Sequence, residues 1–222
     1  MVTRTRKLDR NAIPRLLGIA THVGALIPLA SILWDYWFYQ LSADPIREVT
    51  LRTGRSALIL LGLSLACTPL NILFGWKRLI PLRRLLGLYA FLYASLHALT
   101  FVWLDYGLDL GLIGEAIFHK PFALAGFATF LLLLPLAMTS NHWSRRRLGK
   151  RWNQLHRLAY VAAVLAGLHF LWLVKGAYSR PLVYGALLSV LLLIRVPPIR
   201  EKIVYWRRQL TKRMLKRSTS DI

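Results

Sequence analysis

The chain has 222 residues, of which 56% are hydrophobic, and it carries a formal net charge of +21 at pH 7. A soluble protein this basic would suggest a nucleic-acid ligand, but the long uncharged apolar runs exclude that class and indicate a membrane protein. The single cysteine, Cys67, excludes an internal disulfide bond and a cluster of thiolate metal ligands.

Six apolar segments have the length of about 20 residues that a bilayer requires. They are residues 13–34, 56–74, 85–104, 121–139, 155–174 and 181–196. We therefore predict an all-α integral membrane protein, with a six-helix bundle over residues 1–200 and a basic tail over residues 201–222. A cleaved signal peptide is not expected, because no short apolar segment ends in a small-residue cleavage site.

The basic residues are distributed unevenly between the two sides of these spans. Of the 30 Lys and Arg residues, 24 fall in the N-terminus, the second and fourth connections and the tail, and six fall in the other connections. The positive-inside rule then places both termini in the cytoplasm. The same asymmetry accounts for the high charge without nucleic acid, and we expect the tail to lie against anionic membrane lipid.

The first connection on the outer side is expected to contain a short helix. Asp44 followed by Pro45 is typical of a helix N-cap and first helical position. We therefore predict a surface helix over residues 46–51, separate from the second span. The next outer connection, residues 105–120, is predicted to be an acidic loop that contains glycine.

Histidine inside a membrane span is costly and usually functional. Four of the six histidines fall in spans, and two fall at span edges or in loops, where a solvated role is expected. The first group is His22, His97, His156 and His169, and the second is His119 and His142.

His97 and His169 are expected to lie at the same depth in the outer half of the bilayer. Both of their spans run outward, and the two residues follow the span starts by about twelve and fourteen positions. Two neutral imidazoles that face each other across a helix pair can serve as axial ligands of haem iron. Small residues along the third span, Gly87, Ala90 and Ala94, would make room for a macrocycle. The alternative is that each histidine only bonds a neighbouring helix.

His156 lies nearer the cytoplasm and lacks an equivalent partner. The matching position on the third span holds Arg83 or Arg84, and arginine does not ligate iron. His22 could supply a ligand, or His156 could form a cationic cluster with the two arginines that binds a flavin phosphate or a semiquinone. Simple anchoring of the arginines at the inner surface is the alternative. In a straight helix, His156 and His169 would point roughly 140° apart, so both can face the third span only if the helix is distorted.

Three segments carry a resemblance to a known family. They are ADPIREVTLRTGRSAL before the second span, RRLLGLYAFLYASLH in the third and RRLGKRWNQLHRLAYVAAVLAGLHFLW in the fifth. Together with the number and order of spans, they resemble the MsrQ family, also called YedZ. These proteins are the haem-binding membrane subunits of MsrPQ methionine-sulfoxide reductase systems, and they are similar to the membrane domain of ferric reductases and NADPH oxidases.

The resemblance implies a six-helix bundle in the bacterial inner membrane that binds haem b, with FMN also described in family members. It implies a non-catalytic electron-transfer subunit that takes electrons from the quinone pool or a cytoplasmic flavin reductase. These electrons would pass to MsrP, a periplasmic molybdopterin enzyme that repairs methionine oxidised in proteins. The family's three haem-linked histidines fall on His97, His156 and His169. Arg83 stands where ferric reductases have a fourth histidine, which speaks against a second stacked haem.

Other interpretations of the same residues stay open. At the outer face, Arg52 and Arg55 could pair with the propionates of a haem between His97 and His169, or with lipid phosphate. The chain could be a stand-alone haem-containing metal or quinone reductase. It could also be a transporter or scaffold with structural histidines. Transporters often contain internal repeats, and we identify no convincing repeat in the sequence.

Overall fold

The computed structural model describes residues 12–174 and 179–220, and every regular element within these ranges is helical. The helices are α1 (Ala12–Trp37), α2 (Pro45–Phe74), α3 (Leu82–Leu99), α4 (Leu110–His119), α5 (Pro121–Met138), α6 (His142–Leu148), α7 (Lys150–Leu155), α8 (Leu158–Leu173), α9 (Ser179–Leu193) and α10 (Pro197–Ser220). A 3-10 turn at Lys77–Leu79 precedes α3, and a π-helical segment at Thr100–Asp105 extends it.

Five segments of the described residues are long and apolar enough to cross a membrane. They are Ile13–Trp37, Pro45–Phe74, Lys77–Asp105, Pro121–Met138 and Lys150–Leu173. The sixth predicted span corresponds to α9, which passes the same test only together with α10, from which it is bent by 76°. The predicted all-α, multi-pass membrane class is confirmed, with five or six spans.

The first outer connection differs from the prediction. Asp44 is the N-cap as expected, since its Oδ1 accepts a hydrogen bond from the Arg47 amide at 3.0 Å. The prediction of a separate surface helix over residues 46–51 is wrong, because α2 continues without a break to Phe74. The next proline after Pro45 is Pro69, so no proline breaks the helix between residues 46 and 68. The hydroxyls of Thr53 and Ser56 bond to main-chain carbonyls of the preceding turn.

The second outer connection is also more ordered than a loop. Within the predicted acidic loop, α4 forms because Asp109 caps it, with Oδ1 accepting hydrogen bonds from the amides of Gly111 and Leu112 at 2.8 and 3.0 Å. Its buried residues include Ile113 and Ile117, and the helix packs on α5. We call the end of the bundle that carries these two connections the outer end, following the predicted orientation, and the opposite end the inner end.

Two helix hairpins form the centre of the bundle. One consists of α2 and α3, and the other of α5 and α8; these are the two most extensively packed helix pairs. Between the hairpins, α3 packs on α5 and α2 packs on α8. The core at this junction includes Leu61, Leu65, Ala90, Ala162 and Ala163. The backbones of α3 and α8 are farther apart than those of the packed pairs. Long side chains on these two helices can therefore face each other across the gap between them.

Polar side chains help to tie the outermost helices, α1 and α10, to this centre. Tyr93 of α3 is fully buried, and its hydroxyl donates to the Ala25 carbonyl at 2.7 Å and accepts from the Leu29 amide at 3.0 Å. At the inner end, Arg207 of α10 donates to the carbonyls of Asn71 and Ile72 at 2.7 and 2.8 Å. These are carbonyls of the last turn of α2, where helix partners are incomplete, and the Asn71 carbonyl also accepts from the Gly75 amide at 2.9 Å.

Candidate haem site

The imidazoles of His97 on α3 and His169 on α8 meet in the outer half of the bundle. Their ring centres lie 6.0 Å apart, and their planes make an angle of 76°. A metal bound at about 2 Å from one nitrogen of each ring would set the ring centres roughly 6 Å apart. The observed separation therefore fits an iron held axially between the two rings.

Each ring is oriented by a main-chain carbonyl of the neighbouring helix. Nδ1 of His97 donates to the Thr50 carbonyl at 2.8 Å, and Nδ1 of His169 donates to the Phe122 carbonyl at 2.6 Å. Because a carbonyl only accepts, Nδ1 must carry the proton in both rings, and Nε2 keeps its lone pair. This is the arrangement in which a ligating histidine is usually held in proteins.

A glycine lies beneath each ring. A Cβ at Gly54 would lie 3.0 Å from Nδ1 and Cε1 of His97, and a Cβ at Gly126 would lie 2.8 Å from Nδ1 of His169. Real Cβ atoms are essentially never found closer than 3.0 Å. Both imidazoles therefore lie directly against the backbone of the partner helix.

The two halves of this site repeat each other along the chain. In each half the histidine follows its carbonyl partner by 47 residues. Corresponding residues are 72 apart (50 and 122, 54 and 126, 97 and 169). The pattern L-x3-A-x3-A-x-L-H ends at His97 in α3 and recurs, ending at His169, in α8. The chain therefore contains a short internal repeat, contrary to the expectation from the sequence.

The chain is similar in sequence to known membrane proteins. Residues 53–167 match the family model described as ferric reductase like transmembrane component. The chain is 44% identical over 177 residues to a protein of Herminiimonas arsenicoxydans, covering 78% of this chain and 81% of the relative. It is 44% identical over 183 residues to one of Xanthomonas campestris pv. campestris (strain 8004), covering 80% and 84%. It is 42% identical over 189 residues to one of Bordetella pertussis, covering 84% and 89%.

All three relatives bear the name protein-methionine-sulfoxide reductase heme-binding subunit MsrQ. The chain belongs to the MsrQ family. No solved structure matches the chain at a significant level. The resemblance inferred from the three sequence segments is thus confirmed, and so is the wider similarity to ferric reductases.

The third histidine of the expected MsrQ set, His156, lies at a break in the fifth span. Helix α7 ends at Leu155 and α8 starts at Leu158, so residues 156 and 157 form a turn within the span. The local distortion that the spacing of the two histidines would require is therefore present. The ring of His156 stacks on Trp152 with centres 3.8 Å apart, and its Nε2 lies 3.1 Å from the Thr139 hydroxyl.

Cationic side chains lie near His156 at the inner end of the bundle. Arg83 is half-buried and close enough to interact electrostatically with His156, whereas Arg84 is exposed. Sequence reasoning missed Arg195, which lies between α9 and α10 and donates to the Tyr160 hydroxyl at 2.8 Å and to the Leu65 carbonyl. Its Nε is buried without a hydrogen-bond partner among the described residues. Within those residues, neither Arg83 nor Arg195 forms an ion pair with a carboxylate.

The remaining candidates have other contacts. His22 is exposed and hydrogen-bonded through Nδ1 to the Tyr89 hydroxyl at 2.8 Å, so the structure does not bring it to His156. Arg52 forms ion pairs with Asp35 and Glu48. Its guanidinium is thus already paired with carboxylates of the chain itself, in place of a cofactor propionate.

Arg55 and the small-residue stripe of α3 differ in exposure. Arg55 is exposed at the outer end, where it forms no ion pair with the described residues. Ala90, in the small-residue stripe of α3, is fully buried in the helix core, as is Ala162 of α8. His119 and His142 are exposed, as expected for histidines outside the spans.

Proposed function

We propose that the chain is a non-catalytic electron-transfer subunit that carries haem b between His97 and His169 and serves a protein-methionine-sulfoxide reductase. The pairing of these two imidazoles at 6.0 Å, each with Nδ1 bonded to a carbonyl, is the observation that supports it most. Membership of the MsrQ family agrees with it, since its relatives bear the name of a heme-binding subunit. Bound haem supplies one-electron redox chemistry.

The surrounding residues determine how such a group would be held. The carbonyls of Thr50 and Phe122 keep both rings in the tautomer that leaves Nε2 free, and this bond also makes the ligand nitrogen more basic. Both rings are partly buried between the two hairpins. Arg55 at the outer end is the remaining candidate partner for a propionate, because Arg52 is paired with Asp35.

At the inner end, we infer a site that receives electrons. The half-buried cations Arg83 and Arg195, with His156 and Tyr160 beside them, favour an anionic group, because a buried charge is stabilised by a partner of opposite charge. A flavin phosphate of FMN or a semiquinone has that chemistry. Arg84 is exposed and suits an anchor to lipid phosphate. Electrons would enter here from a quinone or a cytoplasmic flavin reductase and leave at the outer end to MsrP, the periplasmic molybdopterin subunit that reduces methionine sulfoxide for protein repair.

The haem assignment is tested with the full-length protein purified in detergent. We expect a reducible Soret band, and we expect His97→Ala and His169→Ala each to abolish it while the protein still inserts in the membrane. His119→Ala, which removes an exposed histidine outside the spans, is the matched control. Unchanged haem content in both ligand variants would contradict the assignment, and a colourless wild-type protein would favour a transporter or scaffold.

The direction of electron flow needs a separate experiment. The reduced protein is mixed with MsrP in rapid kinetics, and reoxidation is followed at the Soret band. We expect reoxidation to depend on MsrP and to continue only while methionine sulfoxide is present. Reoxidation by a ferric chelate or a quinone at the same rate without MsrP would instead favour a stand-alone reductase.

A further inference from the structure

We propose that Gly54 and Gly126 are positioning residues that hold the two axial imidazoles with their planes nearly perpendicular. The inference rests on the proposed ligation of haem by His97 and His169. It concerns two glycines that lie in α2 and α5, on helices that carry neither histidine. Both glycines would act through the ring that lies against them.

The need for glycine at these two positions is one of space. Neither residue has the positive φ that favours glycine, since among the described glycines only Gly75, Gly107 and Gly149 do. A Cβ at either position would contact the imidazole: it would lie 3.0 Å from Nδ1 of His97 at Gly54, and 2.8 Å from Nδ1 of His169 at Gly126. A glycine within a helix is less stabilising than alanine at the same position, so a contact or a functional constraint must favour glycine at both sites.

The same two helices also supply the carbonyl that each ring bonds. Gly54 follows Thr50 by one helical turn, and Gly126 follows Phe122 by one turn. Each ring is thus fixed at two points on one helix surface, by its Nδ1 hydrogen bond and by the flat backbone at the glycine. An axial imidazole held only by its iron would rotate about the metal–nitrogen bond. Here a Cβ at the glycine would push the ring away from the carbonyl and release that rotation.

The two halves set the two planes independently. His97 takes its orientation from α2 and His169 takes its own from α5, and the resulting interplanar angle is 76°. When two axial imidazoles are perpendicular, each donates to a different iron d orbital, and the two orbitals stay close in energy. Parallel planes would separate these orbitals. The arrangement of the glycines therefore predicts an electronic property of the bound haem.

The experiment is electron paramagnetic resonance of the oxidised full-length protein in detergent, together with a redox titration. For the wild type we expect a low-spin ferric signal dominated by one large g value, the form given by nearly degenerate orbitals. Gly54→Ala and Gly126→Ala are expected to lose this signal, in favour of a rhombic low-spin or a high-spin signal, and to shift the midpoint potential. Gly62→Ala is the control, because it lies on α2 and a Cβ there meets nothing within 4 Å.

The outcomes separate this inference from the proposed function. A rhombic wild-type signal overturns the inference, and so do Gly54→Ala and Gly126→Ala proteins whose spectrum and potential match those of Gly62→Ala. Loss of haem from a glycine variant that retains the wild-type helical content, while Gly62→Ala retains its haem, supports the inference. If His97→Ala and His169→Ala both keep their haem, the proposed function fails and the inference fails with it.

Discussion

The imidazole of His156 stacks on the indole of Trp152, with ring centres 3.8 Å apart and an angle of 23° between the planes. Thr139 holds both rings, because its hydroxyl lies 3.1 Å from Nε2 of His156 and its carbonyl accepts from Nε1 of Trp152 at 3.0 Å. The environment of His156 therefore differs from that of His97 and His169. Its Nε2 is engaged by a hydroxyl, whereas Nε2 of the other two rings has no hydrogen-bond partner in the part of the chain that the structure describes.

This contrast predicts different effects of removing each histidine. His156→Ala is expected to retain the haem between His97 and His169, because none of the contacts of His156 among the described residues reaches either ring. It is expected to lose FMN, or to accept electrons from quinol several-fold more slowly. Pyridine haemochrome content, released flavin and the rate of Soret reduction measure these effects. Haem loss as complete as in His97→Ala would contradict the separation of the two sites.

Arg83 provides a second test of the inner end. Arg83→His would place an imidazole fourteen residues before His97, on the half-buried face of α3 that is close to His156. We expect haem per protein to rise toward two, because the missing fourth ligand would be supplied. Arg84→His is the control, since Arg84 is exposed and its imidazole would face away from the bundle. An equal rise in both variants would show that the added haem binds elsewhere.

The sequence predicted the spans and the matching depth of His97 and His169, because the length of an apolar segment and the position of a residue within it are read directly from the order of residues along the chain. It could not predict Thr50 and Phe122 as partners, because a main-chain carbonyl is present at every residue and carries no side-chain signal. The repeated pattern that ends at both histidines was readable in the sequence. It would have pointed to Gly54 and Gly126, which are 72 residues apart.

Other misses have local causes. The break at residues 156 and 157 has no proline or glycine to mark it, and the apolar pattern continues across it. Arg195 lies two residues before Pro197, and the sequence indicates only that it is a charge on the inner side. Its contacts with Tyr160 and Leu65 depend on how α9 returns to α2 and α8, which hydrophobic periodicity does not specify.

The ion pair between Arg52 and Asp35 predicts a structural role for Arg52. Asp35→Asn is expected to lower the stability of the bundle by roughly 0.2–1 kcal/mol, because both side chains are partly exposed. It should leave haem content and midpoint potential unchanged. Thermal unfolding in detergent and a redox titration would measure both. Arg55→Ala is the comparison, since a propionate partner at the outer end would instead shift the potential without affecting the unfolding temperature.

A further prediction concerns the contact by which α10 packs against the inner end of α2. Arg207 bonds the carbonyls of Asn71 and Ile72 at the end of α2. Arg207→Ala is expected to expose those carbonyls and to loosen α10, so that amide hydrogens of residues 198–210 exchange faster. Arg208→Ala, one residue along the same exposed basic helix, serves as the control. Hydrogen exchange in detergent or nanodiscs measures the effect, and equal protection in the two variants would contradict the docking.

The last prediction concerns the hydroxyl of Tyr93, which joins α1 to the helix that carries His97. It bonds the Ala25 carbonyl and the Leu29 amide, which are four residues apart and would bond each other in a regular helix. Pro28 stands in the same turn. Tyr93→Phe leaves two buried main-chain groups without this partner, so we expect a loss of about 1–3 kcal/mol and faster amide exchange at residues 25–29. Tyr89→Phe removes only the bond to exposed His22 and should cost much less. Equal unfolding temperatures and equal exchange in the two variants would show that the Tyr93 hydroxyl does not hold α1 in place.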